Sequence, residues 1–148
     1  MWMIFKKRVF PLLFALALIG LSAYLYKRYR IAPEIDFPKV EVVDLKGEPT
    51  SLDELSEDRL TLVVFWATWC SVCREEIPYL QKLQESYSGN EFQVVMISDE
   101  PLGTLQSFAS DTDLPFVFLK LKSKSADLEV HKIPTAYLIR DGKSLDDE

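Results

Sequence analysis

Cys70 and Cys73 are the only two cysteines of this 148-residue chain. They lie two residues apart within "FWATWCSVCREEIP", residues 65–78. Such a pair suits a metal site, a structural disulfide, or dithiol–disulfide exchange. A closed zinc site takes four ligands, typically Cys and His. The chain has 2 Cys and 1 His, the distant His131, and no second CxxC, which disfavours zinc held within one chain. A structural disulfide gains with the length of the loop it closes, and this loop is very short. Two unrelated buried thiols remain possible from residue type alone. Exchange chemistry makes a sharper demand: a thiolate nucleophile with a second thiol within reach.

The flanking elements meet that demand. Residues 60–66, "LTLVVFW", are an apolar, β-branched run of the kind that forms a buried central strand. From Ser71 to Ser86 the pattern turns helical, and "SGN" at 88–90 stops it. Cys70 then stands at a helix N-terminus, where unpaired N–H groups and the macrodipole favour a thiolate. Cys73 follows one turn later on the same side. Cys70 is the expected attacking thiol and Cys73 the resolving one. Glu76 lies three residues beyond Cys73 and shares its face, so a partly buried carboxylate there would exchange protons with the resolving thiol. The competing reading makes Glu76 a surface charge like Glu75. Trp66 belongs to the strand and the core, whereas Trp69 is expected to be exposed and part of a docking surface. Ile77, Leu80, Leu83 and Gln84 or Tyr87 recur at helical spacing; the first three are expected to be core, His131 a surface or packing residue, and Pro78 a kink in the helix.

Residues 39–52 alternate and turn at Lys46-Gly47, suggesting a hairpin. Ser51 and Glu54 fit a capping box opening a short helix over 52–56. "FQVVMIS", 92–98, reads as a second buried strand, 102–110 as an amphipathic helix, and 115–121 as a strand or extended segment. "TAYLIR", 135–140, is a clear strand ending at Asp141-Gly142. This order implies a parallel core with helices packed on it.

Composition divides the chain. It is 48% hydrophobic and 27% charged, as a folded protein should be. Residues 1–30 hold 6 Lys or Arg and no acid, while residues 31–148 hold 11 basic and all 23 acidic residues, a net of −12. An acidic domain argues against nucleic acid as a partner. Residues 9–26 carry no charge and are flanked by Lys6, Lys7, Arg8 and Lys27, Arg28, Arg30. As a helix they span about 27 Å, close to a bilayer core. Cleavage after Ala23 would place bulky Leu21 where a small residue is wanted, so the segment reads as an uncleaved anchor. Basic flanks on both sides leave its orientation open. The expected organisation is an anchor over 1–30, an extended linker over 31–38 with two prolines, and a domain over 39–148.

The stretch Cys70, Cys73, Arg74, Glu76, Pro78 resembles the active-site segment of thioredoxin-like proteins, most closely the exported TlpA/ResA-like group. The likeness covers about residues 34–142 and includes "KIPTAYLIRDGK". The Ser71-Val72 pair resembles the copper-sensitivity suppressor subgroup. The resemblance implies a thioredoxin fold: an α/β domain with a mixed sheet flanked by helices, here behind one N-terminal transmembrane helix. It implies a cis Ile133-Pro134 bond opposite the cysteines, with Ile133, Pro134, Thr135 and Trp69 binding substrate. Thioredoxins proper carry a buried Asp where Val64 stands, and the exported group is similar to this chain in having Glu76. The family's final strand and helix are expected to be missing after Asp141-Gly142. The implied activity is thiol–disulfide exchange with protein substrates, as a reductase at the outer face of a bacterial cytoplasmic membrane. It needs no non-thiol cofactor and would be fed by a membrane electron donor. One alternative is a non-catalytic module holding a partner or copper(I), which two thiolates can bind. A peroxiredoxin-type peroxidase ranks lower, since the proline and threonine preceding its reactive cysteine are absent.

Overall fold

The computed structural model describes residues 11, 13–22, 24, 32–87, 89 and 91–145. The chain forms two compact units, Met1–Ile31 and Ala32–Glu148. In the first, residues 13–22 are helical (α1). Among the described residues no helix is long and apolar enough to cross a membrane. The expected span over 9–26 extends at both ends outside the described residues.

The second unit is built on one sheet. Its strands are β1 (Val42–Val43), β2 (Pro49–Thr50), β3 (Leu60–Phe65), β4 (Phe92–Ser98), β5 (Val117–Leu121), β6 (Thr135–Arg140) and β7 (Lys143–Ser144). They lie in the order β2-β1-β5-β4-β3-β6-β7. β3, β4 and β5 pair in parallel, as the alternation with helices dictates. β6 runs antiparallel to β3. Its connection from β5 holds only a short 3-10 turn (Ser125–Leu128), without the long helical crossover usual between parallel strands. The sheet is therefore mixed, as the resemblance implied. β1 and β2 form the expected hairpin, whose turn is closed by Gly47 N–H donating to Asp44 O at 3.0 Å.

Strand alternation sorts the core into two layers. Val63, Phe65, Val95, Ile97, Leu119 and Leu121 face one side, packed with Phe37, Leu52 and Tyr137. Val64, Trp66, Val94, Met96, Phe116 and Phe118 face the other with both cysteines. Helix α2 (Leu52–Ser56) contributes to the first layer, and Ser51 Oγ accepts the Glu54 N–H at 3.2 Å at its start. Helices α3 (Ser71–Ser86) and α4 (Leu102–Thr112) cover the second. α3 runs continuously through Pro78.

Three expectations need correction. Residues 32–38 are not an extended spacer: Phe37 is 1% exposed, and Ala32 and Ile35 pack on the core. Burying an apolar side chain of this size stabilises by about 1.5–3 kcal/mol, enough to hold the lead-in down. A strand does follow Asp141-Gly142, because β7 pairs with Ile139 and Arg140. Leu83 is exposed, and Gln84 takes the inward place beside Leu80. Its Oε1 accepts Val94 N–H at 2.9 Å, and its Nε2 donates to Pro115 O.

Candidate active site

Strand β3 delivers the chain to the site. Its ladder continues one residue beyond Phe65, where Trp66 N–H donates to Ile97 O at 3.0 Å. A turn over 67–70 follows, closed by Cys70 N–H donating to Ala67 O at 3.1 Å. Cys70 is the N-cap of α3, with φ −77 and ψ 107. Its Sγ accepts the Cys73 N–H at 3.2 Å, the place a Ser or Asp oxygen occupies in ordinary caps. Cys70 and Cys73 are joined by a disulfide, with Cα atoms 5.3 Å apart. Cys70 is 8% exposed and Cys73 only 2%, so the N-cap sulfur is the one that solvent and a partner reach first.

The segment before β6 comes to the same end of the sheet. Thr135 stands opposite Phe65, and the Ile133-Pro134 bond is cis, as the resemblance implied. Ile133 O lies 4.0 Å from Cys70 Sγ. The structure thus brings Cys70, Cys73, Ile133 and Pro134 together. Trp69, next to Cys70, is 74% exposed. Thr135 is buried, and its Oγ1 donates to Lys132 O at 2.7 Å, which commits that side chain to its own loop. His131 is exposed.

Glu76 departs from expectation. It is exposed rather than partly buried, and among the described residues no hydrogen bond or ion pair engages its carboxylate. Three residues advance a helix by about 300°, which leaves position i+3 about 60° away from position i. Cys73 points into the core, and that offset turns Glu76 out. Ile77, one residue further, returns to the buried side with Cys73. Val64 is buried in the same apolar cluster as Cys73.

Three residues of the site went unrecognised in the sequence. Glu100, just after β4, accepts Thr68 N–H at Oε2 (2.7 Å) and Thr68 Oγ1–H at Oε1 (2.8 Å). Ser98 Oγ donates to the same carboxylate at 3.1 Å. A signal was available. Parallel neighbours β3 and β4 end on the same side of the sheet, so polar residues following one strand sit beside the loop following the other.

A model of the AhpC/TSA family matches residues 33–143. The chain belongs to the AhpC/TSA family. Among curated relatives, the thioredoxin-like protein YneN of Bacillus subtilis is 33% identical over 107 residues, 69% of this chain and 62% of the relative. The thiol-disulfide oxidoreductase ResA of Oceanobacillus iheyensis is 30% identical over 125 residues, 82% of this chain and 59% of the relative. The chain thus spans about three fifths of the length of these two relatives. A solved structure of a thiol-disulfide oxidoreductase from Bacteroides fragilis superposes with a TM-score of 0.62 at 26% identity, covering 75% of this chain and 88% of the other. This AhpC/TSA-family domain therefore has the thioredoxin-like fold, and its relatives agree with the resemblance to the TlpA/ResA-like group.

Proposed function

We propose that the protein is a thiol–disulfide oxidoreductase of the cell envelope that reduces disulfides in other proteins. One observation carries the reading: a disulfide at the start of α3, with Cys70 the more accessible of the two sulfurs and Cys73 buried beneath it. The names of its relatives support it. In the reductive direction, the Cys70 thiolate attacks a substrate disulfide and expels one substrate thiolate. Cys73 then attacks Cys70 Sγ, the second substrate thiolate leaves, and the Cys70–Cys73 disulfide forms. Two electrons pass to the substrate, and a membrane donor of reducing equivalents restores the dithiol. Helix α3 contributes by stabilising the Cys70 thiolate at its N-terminus, both as attacking and as leaving group. The backbone at Ile133 lies where an extended substrate would run past Cys70. Apocytochrome haem-attachment cysteines or misoxidised envelope proteins are suitable substrates. No non-thiol cofactor takes part.

The uncharged stretch over 9–26, with basic flanks, supports a single-pass anchor in the bacterial cytoplasmic membrane. Exposed dithiol chemistry suits the periplasmic or outer face. Trapping tests the exchange reading. Cys73→Ala should accumulate a mixed disulfide between Cys70 and a disulfide-bearing protein substrate, resolvable by added thiol, while Cys70→Ala should trap almost none. Turnover that persists in Cys73→Ala, with no adduct, overturns the reading. Tight copper(I) binding without turnover in the parent chain would leave the binding module in its place.

A further inference from the structure

The carboxylate of Glu100 is gripped by the turn that presents Cys70. Both polar groups of Thr68 donate to it, the N–H to Oε2 and the hydroxyl to Oε1. Ser98 Oγ donates to Oε2 at 3.1 Å and accepts the Glu100 N–H at 3.3 Å, and Ser98 is 1% exposed. The anchoring end is therefore fixed in the sheet. The other end is two residues from Cys70, inside the turn closed by Cys70 N–H on Ala67 O. The two Thr68 donors are aimed at different oxygens of the carboxylate, and an amide in its place would present an acceptor to only one of them. Three donors offset its charge, so what the group adds is chiefly a hold on geometry.

We propose that Glu100 is the positioning residue of the redox turn: through Thr68 it holds Cys70 on the N-cap of α3, where the sulfur receives the Cys73 N–H. The role rests on the exchange reading above but is measured without a protein substrate. When the hold is lost, Cys70 samples positions off the cap, its thiolate loses a donor, and less thiolate is present at neutral pH.

The test uses the full chain carrying Cys73→Ala, in which the backbone N–H at 73 remains and Cys70 is the sole thiol. Alkylation by iodoacetamide is followed across pH. Adding Glu100→Ala should slow the neutral-pH rate about tenfold and move the profile to higher pH, equivalent to about one unit in the thiol. Glu100→Gln, which keeps one acceptor, should lose only about threefold. Thr68→Val should lose a similar amount, and Thr68→Ser should restore the parent rate, because each step changes one hydrogen bond. A folded Glu100→Ala chain with the parent profile overturns the proposal. If Glu100→Ala does not fold, the Thr68 pair decides, and equal rates for Val and Ser overturn it. Failure to trap mixed disulfides in the Cys73→Ala parent counts against the exchange reading alone, because the alkylation profile needs no exchange.

Discussion

Trp66, just before the turn, and Trp69, within it, show how three residues of chain separate packing from presentation. Trp66 is 2% exposed, with its ring centroid 4.8 Å from Phe108 and 5.8 Å from Phe118. Trp69 is 74% exposed beside Cys70. Truncating Trp66 to Ala should cost about 3–5 kcal/mol of stability, as large aromatic deletions in cores do. Truncating Trp69 should change stability by less than about 0.5 kcal/mol. It should instead raise KM for a protein disulfide several-fold while the dithiol stays reactive toward a small thiol reagent. Urea unfolding curves and exchange kinetics on both variants check the contrast, and equal unfolding midpoints would refute the assignment of Trp66 to the core. Both tryptophan assignments follow from the sequence because Trp66 continues a strand alternation and Trp69 falls after it ends. Glu76 departs from the burial its spacing suggests because i+3 positions share a face only to within about 60°, and burial changes sharply across that angle. Glu100 was missed because its partner Thr68 is distant in sequence and close only through strand pairing.

Elements with a strong period were legible, and short ones were set by their neighbours. β3 and β4 read as buried runs, and α3 read as a helix from its spacing. The spacing of α3 offers both Leu83 and Gln84 for its inward line, and Gln84 takes it because its amide finds two backbone partners across the layer. A half-buried amide whose polar groups are paired is compatible with a position facing the layer. The direction of β6 does not follow from its own residues, since direction is a property of the connection. The β6–β7 turn offers a test at this scale. Gly142 has φ +71, its N–H donates to Ser56 Oγ at 2.8 Å, and an added Cβ would collide with the Asp53 carboxylate. Gly142→Ala should cost about 1–3 kcal/mol through strain and displacement of α2. Gly103, within α4, has open space around its Cα and ordinary helical backbone. Gly103→Ala should stabilise by about 0.4–1 kcal/mol. Opposite shifts of the two unfolding midpoints are expected, and a stabilising Gly142→Ala would contradict the turn geometry.

Across the whole molecule, charge is arranged as a dipole along the chain. The first 30 residues hold six cations and no anion, and the rest carries a net of −12. An acidic domain is repelled by an anionic membrane surface, so surface attraction alone would hold it poorly. On the proposed anchor reading, retention at a membrane comes from the uncharged stretch over 9–26, and that gives a discriminating experiment. An inserted helix survives an alkaline carbonate wash, whereas a peripheral contact through the basic flanks is released. The full chain should stay in the pellet. Leu16→Arg places a charge near the middle of the stretch, where it opposes insertion by about 2.5–3.5 kcal/mol. That is roughly a hundredfold in the insertion equilibrium, enough to move a large share of the chain to the supernatant. Lys6→Gln with Lys7→Gln removes attraction to anionic lipid without touching the apolar stretch, and should leave retention unchanged. If the Lys pair releases the chain and Leu16→Arg does not, the head is a peripheral basic contact. The redox domain would then be held to the membrane by charge, against the repulsion of its own acidic surface, and its retention would fall as ionic strength rises.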